Sequence, residues 1–264
     1  MNIGKLFEGT KIACYGLCSC CNQVDFISKN IINNNCWEPN ITSLFIELLK
    51  GKSDNIVFDV GCNIGYFSLI SAKYSSKVYS FDANEQNINL LNLSKKINNI
   101  NNIEVKNVAI VDNIKSFYKT DKIHEHNVGS LKIVECSQEQ SNLESVELDS
   151  FIEREGLKKI DLIKIDIEGT ELSCLRGLKK SLANKIIKNV IIEITPLWSV
   201  EESKKILQFL KDKDYNLFNA GLNETGQYSD QTNYLDFCFN NKIDNIDKFI
   251  ETIKVQTNIL AVAK

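Results

Sequence analysis

Residues Ile56–Ile70 read IVFDVGCNIGYFSLI, and this stretch decides the fold. Ile56, Val57 and Phe58 form a short apolar run of the kind that makes a buried strand. The run ends at Asp59, and Gly61-Cys62-Asn63-Ile64-Gly65 follows as a turn of small side chains. From Tyr66 the pattern becomes helical, with Phe67 and Ile70 on one face. A strand that enters a glycine turn and then a helix N-terminus brings backbone N–H groups, with little side-chain bulk, to the carboxyl edge of a sheet. In open α/β sheets that edge is where ligands bind.

Working outward, Lys77–Asp82 is a second apolar strand that ends in an acid. Asp82 lies a little over 20 residues beyond Asp59, about where dinucleotide folds place the acid that binds a ribose hydroxyl pair. The turn lacks the G-x-G-x-x-G pattern of a nicotinamide site. Asp59-x-Gly61-x-Asn63-x-Gly65 instead resembles the first motif of class I S-adenosylmethionine (SAM) methyltransferases. SAM carries a sulfonium and an amine, and an acid at the head of the turn suits a cationic group.

Strands and helices then alternate. Helices are expected over 66–74 and 85–97, with a third strand from Glu104 to Val111. The stretch 113–148 breaks the alternation with short strand-like runs and reads as a β insertion, with His124-Glu125-His126 on one of its loops. A short helix over Asp149–Glu155 leads into a fourth strand, Ile160–Asp166, and a helix over Thr170–Leu178. Asn189–Ile194 is a fifth strand, and Glu201–Asp212 an amphipathic helix. Tyr215–Ala220 and Tyr234–Asn240 read as the last strand pair, with Asp247–Lys254 as a helix and Ile259–Val262 as a rival strand. This order predicts an α/β fold, a mostly parallel doubly wound sheet with helices on both faces and a short β insertion, and the resemblance of the glycine turn implies that it is the Rossmann-like class I methyltransferase fold. Residues 1–50 precede the core as a helical cap segment, in which Pro39 opens an amphipathic helix that Gly51 closes. Residues 51–264 form the SAM-binding domain.

Asp161-Leu162-Ile163-Lys164-Ile165-Asp166-Ile167-Glu168-Gly169-Thr170-Glu171 resembles the fourth-strand signature of FkbM-type methyltransferases. Asp59–Ser68 is similar to that family's version of the first motif. Asp25–Asn30 with Trp37-Glu38-Pro39, and Val146–Asp149, resemble its upstream segments. Asp82 stands where the family more often has Glu, and Ala83 where it often has Pro. The resemblance spans roughly residues 25–200. It implies a SAM-dependent O-methyltransferase that acts on a hydroxyl of a sugar, glycan or small natural product. The cofactor residues it implies are Asp59, Gly61, Asn63, Gly65, Tyr66, Phe67 and Asp82, with Glu38 from the cap.

Methylating a hydroxyl requires alignment and removal of a proton. Asp166 and Glu168, just past the fourth strand, and Glu193, inside the apolar fifth strand, are the candidate catalytic acids. Asp166 is the preferred base. Asp166 and Glu193 could instead hold Mg²⁺ through oxygen ligands, and His124 and His126 are rival bases. The other function classes weighed are a non-catalytic nucleotide-binding module and an NAD-dependent oxidoreductase.

Composition agrees with an ordinary globular protein: 43% hydrophobic and 25% charged residues in a chain of 264. A net charge of −3 and a pI near 5.6 give no reason to expect a nucleic-acid partner. No apolar run reaches the length of a membrane span and the N-terminus does not read as a signal peptide, so a cytoplasmic location is expected. Cys14, Cys18, Cys20 and Cys21 are dense enough to raise zinc, but no second ligand pair completes a set, and reduced thiols are the expectation. The sequence carries no signal of oligomeric state.

Overall fold

The computed structural model describes residues 2–5, 10–15, 25–122, 131–221, 234–253 and 255–264. The His124-Glu125-His126 loop and Cys18, Cys20 and Cys21 lie outside the described residues.

The chain begins with a hairpin, β1 (Asn2–Lys5) and β2 (Lys11–Cys14), followed by α1 (Phe26–Asn34) and α2 (Pro39–Leu49). The expectation of a purely helical cap therefore needs correction: two short strands precede its helices, and β2 packs on a later helix of the core. Asp25 caps α1 by accepting the Ser28 N–H at 2.7 Å. Pro39 opens α2 as read.

The core runs β3 (Asn55–Val60), α3 (Tyr66–Ser71), β4 (Ser75–Asp82), α4 (Glu85–Ile97) and β5 (Ile103–Asn107). The insertion follows as β6 (Ala109–Ile110), β7 (Phe117–Lys122), β8 (Leu131–Cys136) and β9 (Ser145–Val146). β7 and β8 form an antiparallel hairpin outside the main sheet, and β6 pairs with β9. The core resumes with α5 (Leu148–Arg154), β10 (Ile160–Ile165), α6 (Glu171–Arg176), α7 (Lys179–Ala183), β11 (Ile187–Ile194), α8 (Val200–Asp212) and β12 (Tyr215–Asn219). It ends with α9 (Tyr234–Asn240), α10 (Ile246–Thr252) and β13 (Thr257–Ala263).

The main sheet has seven strands in the order β12-β13-β11-β10-β3-β4-β5. β13 is antiparallel to both of its neighbours, and the remaining pairs are parallel. Side chains alternate between faces, so Val57, Leu162, Ile191 and Leu260 meet the helices on one side. Phe58, Ile163, Ile192 and Ile259 pack on the other side, under α5, α6 and α8.

Tyr234–Asn240 is a helix where the sequence suggested a strand. Its aromatic composition favours strands, but Tyr234 and Cys238, four residues apart, are the side chains it buries. Its first N–H groups donate to the Glu47 carboxylate on α2, from Tyr234 at 3.3 Å and Leu235 at 2.6 Å. An acid supplied by another helix thus sits at the positive end of α9. The strand that completes the sheet is the later run, which is buried through its first five residues.

Candidate active site

The turn after β3 owes its shape to three residues with left-handed backbone: Gly61 (φ +82°), Asn63 (φ +50°) and Gly65 (φ +87°). Gly61 and Cys62 donate their N–H groups to the Phe81 carbonyl at the end of β4, at 2.9 and 3.0 Å. The Asp82 carboxylate completes the brace by accepting the Asn63 N–H at 2.7 Å and the Asn84 N–H at 2.8 Å. It also accepts from Asn87 Nδ2 at 3.2 Å. The acid that ends β4 therefore holds the glycine turn in place while also facing the pocket. Burial pushes its carboxyl up to about 6, against the pull of these bonds.

A pocket opens between this turn, the end of β4, the cap and the β7–β8 hairpin. Gly61, Asn63, Tyr66 and Phe67 line it from the turn side, and Asp82 from β4. Asp166 and Glu168 line it from the turn after β10, Trp37 from the cap and Ile133 from the hairpin. Glu38, Asp59, Gly65 and Glu193 are not on these walls. Gly65 starts α3, where an added Cβ would meet the Leu91 side chain at 2.2 Å. A Cβ on Gly61 would come within 1.7 Å of the Asp166 carbonyl oxygen. Gly61 is thus required by the contact between the two site turns, as well as by its backbone angle.

Asp59 is 1% exposed and lies behind the turn. Its Oδ2 accepts from Ser68 Oγ at 2.5 Å, and Ser68 Oγ is in turn 2.7 Å from Ser80 Oγ. Asp59 Oδ1 is buried without a hydrogen-bond partner. In register beside Asp59 on β10 stands Lys164, a residue the sequence reading did not single out. Its ammonium lies 2.6 Å from Asp166 Oδ2 and 4.9 Å from the centre of the Phe67 ring. Burial lowers the basicity of this amine, but Asp166, Glu38 and Asp59 outweigh it and keep the group charged. A Lys inside an apolar strand was the available signal, because lysine is almost never fully buried unless paired.

Glu38, from the cap, and Glu193, from β11, complete the polar group. Glu38 precedes α2 with left-handed backbone (φ +41°). Its Oε1 accepts from Asn258 Nδ2 at 3.3 Å, while its Oε2 is buried without a partner. Asn258 belongs to β13 and stands opposite Glu193 on β11. No local pattern marks Asn258, since its role comes from a long-range strand pairing. Burial raises the Glu38 carboxyl, with Lys164 pulling it down. Burial and the charge of Asp166 push Glu193 up to about 10, so it is neutral near pH 7.

At the Asp166–Glu193 pair raised as a Mg²⁺ site, Lys164 already holds Asp166 Oδ2 and competes with a cation there. Among the described residues, no three His, Cys, Asp or Glu side chains converge to hold an ion. Trp37 lies over the pocket as expected for a cap residue, with its ring edge-on to Phe26 at 5.7 Å. Tyr66 turns its hydroxyl to Thr42 Oγ1 on α2 at 3.0 Å, which ties the cap to α3. Among the described residues, no helix is long and apolar enough to cross a membrane.

The model of the methyltransferase FkbM domain matches residues 59–217. Methyltransferase 1 of Beauveria bassiana (strain ARSEF 2860) is 23% identical over 194 residues, covering 65% of this chain and 74% of that protein. Methyltransferase sdnD of Sordaria araneosa is 23% identical over 250 residues, covering 82% of this chain and 90% of that one. Among solved structures, SMU.1697c from Streptococcus mutans, a putative methyltransferase in complex with SAH, aligns with a TM-score of 0.48 at 12% identity. That alignment covers 86% of this chain and 98% of the other.

Proposed function

We infer that this chain, which belongs to the methyltransferase FkbM domain family and is a SAM-dependent methyltransferase, methylates a hydroxyl oxygen of a sugar, glycan or small natural product. Membership replaces the oxidoreductase and the non-catalytic module as readings of the fold. The observation that carries the finer proposal is the placing of Asp166 and Glu168 on the pocket wall after β10, with Glu193 near the end of β11 close enough to feel their charge.

The residues present fit SAM. Asp82, Asp166 and Glu168 line the pocket, and behind its walls Glu38 Oε2 and Asp59 Oδ1 are buried without hydrogen-bond donors. The acids of the site outnumber the one ammonium that faces them. Such a donor-poor, acid-rich set suits a ligand that brings positive charge. Asp82, Asn63, Gly61, Tyr66 and Phe67 would hold the cofactor on the turn side, with Glu38 and Trp37 closing it from the cap. Bound SAM supplies an electrophilic methyl carbon on a sulfonium, and the electron pair of the broken C–S bond stays on sulfur.

Asp166 accepts the proton of the acceptor hydroxyl as the oxygen bonds to the methyl carbon. Lys164 holds one carboxylate oxygen of Asp166 and leaves the other for the acceptor. Glu193, neutral beside it, can donate a hydrogen bond. Trp37 limits access of water from above the pocket. Because Lys164 holds Asp166, a base without a metal is favoured over a Mg²⁺ site.

The test is transfer of isotopically labelled methyl from SAM to a panel of sugars, glycans, small alcohols and phenols, with amines, thiols and RNA alongside. Label on the hydroxyl compounds alone is the expected result. Label confined to nitrogen, sulfur or RNA would overturn the choice of acceptor while leaving the methyltransferase assignment intact.

A further inference from the structure

We propose that Glu171 is a positioning residue of the active site, holding the turn that carries Asp166 and Glu168 in its working shape. Glu171 is the first residue of α6 and is 8% exposed. It is not among the residues that line the pocket. Its side chain folds back over the turn: Gly169 N–H donates to both carboxylate oxygens at 3.0 Å, and Ile167 N–H to Oε1 at 3.3 Å. The turn needs that support. Glu168 has φ +55° and Gly169 φ +101°, two successive left-handed residues, the first of them a side chain that adopts this region rarely. The cap of α6, Thr170, makes no side-chain capping bond, so Glu171 does the satisfying.

The consequence reaches the chemistry through the backbone. The turn held by Glu171 begins at Asp166, whose carbonyl oxygen abuts Gly61 in the glycine turn. It continues to Glu168 on the pocket wall. A small rotation of this turn would move both acids relative to the cofactor turn, and misplacement by about 1 Å can cost on the order of 10²-fold in rate. The ionisable groups that face Glu171 are Asp166 on its own turn and Cys174 on its own helix. From α8, packed on α6, the core residues Ile206, Leu207 and Leu210 are apolar. Burial pushes the Glu171 carboxyl up to about 7, against the three N–H bonds. Protonation there weakens charge-assisted bonds and loosens the turn near neutral pH.

The inference rests on the reading that Asp166 and Glu168 work in the reaction, and the experiment separates the two. In the wild-type protein, amide hydrogen exchange at Gly169 and Ile167 is followed from pH 5.5 to 8.5 alongside turnover and SAM affinity. Protection at both amides, corrected for intrinsic exchange, should fall several-fold as the pH drops through about 7, and kcat should fall with it. Glu171→Gln should lower kcat about tenfold with SAM affinity held within about threefold, and the pH step in amide protection should vanish. Protection at Gly169 and Ile167 that is the same in Glu171→Gln as in the wild type at every pH would overturn the proposal. Wild-type kcat in Glu171→Gln would do the same. If Asp166→Asn and Glu168→Gln are both fully active, the role assigned to the acids fails instead, whatever the amides show.

Discussion

Lys164 Nζ lies 2.6 Å from Asp166 Oδ2, and the lysine is 3% exposed. This one ammonium also faces Asp59, from the neighbouring strand, and Glu38, from the cap. It therefore ties β3, β10 and α2 together through charge. Removing one member of a buried ion pair strands the other.

The first prediction follows. Lys164→Met keeps an unbranched side chain of nearly the same length but leaves Asp166, Glu38 and Asp59 without the ammonium that faces them. Stability should fall, toward the lower end of about 3–5 kcal/mol, because Asp166 is 27% exposed and water can screen it. Urea unfolding at pH 7 reads this directly. A midpoint equal to that of the wild type would show that the ammonium is dispensable to the fold.

Gly61→Ala should be nearly as damaging to cofactor binding as Gly61→Val. The added Cβ would meet the Asp166 carbonyl oxygen at 1.7 Å, and backbone at φ +82° disfavours any L side chain. The clash is with backbone, so neither turn can yield without moving the other. Isothermal titration with SAM should show no saturable binding by either variant, with circular dichroism reporting whether the fold persists. Wild-type affinity in Gly61→Ala would mean that the two turns are not locked as described.

Glu193 makes stability depend on pH. Its folded carboxyl is pushed up to about 10, whereas the unfolded chain titrates near 4.3. Between those values the folded protein keeps a proton that the unfolded chain has lost, so stability falls as pH rises. Glu38, Asp59 and Glu171, also raised, add slopes of the same sign. Glu193→Gln keeps the neutral shape and removes one of these contributions. Urea midpoints from pH 5 to 9 should fall less steeply in the variant than in the wild type. Parallel curves would show that Glu193 is already ionised in the folded protein.

The glycine turn, the acid ending β4 and the acids after β10 were all legible, because each depends on spacing within a strand–turn–helix unit. What Asp82 does was only half legible. Its place at the strand end follows from the sequence, but its bond to the Asn63 N–H depends on β3 and β4 lying side by side. Lys164, Asn258 and Glu171 act through neighbours on other strands or through a backbone that folds back, and local periodicity does not record such contacts. Tyr234–Asn240 was misread for a related reason. Its aromatic residues favour a strand in isolation, while Glu47, almost 190 residues away, anchors the first turn of a helix. The reversed strand β13 was visible as an apolar run, but its position between β11 and β12 is a tertiary fact.

The last prediction concerns Asp166 itself. Asp166→Asn keeps the shape of the side chain and an oxygen that Lys164 can still hold, so SAM affinity should change little. The amide cannot accept the acceptor's proton, and kcat should fall by about 10²–10⁴, the contribution of a positioned base. The loss should be the same with and without a chelator, because the proposed step needs a base and no ion. Glu193→Gln should be milder, since a neutral carboxyl and an amide are both able to donate a hydrogen bond. If a chelator silences the wild type and Mg²⁺ restores it, the metal reading would return, with the Asp166 oxygen that Lys164 leaves open as the one able to take the ion. If Asp166→Asn turns over at the wild-type rate, the proton goes elsewhere. Glu168, two residues further along the turn and on the same pocket wall, would be the next side chain to replace.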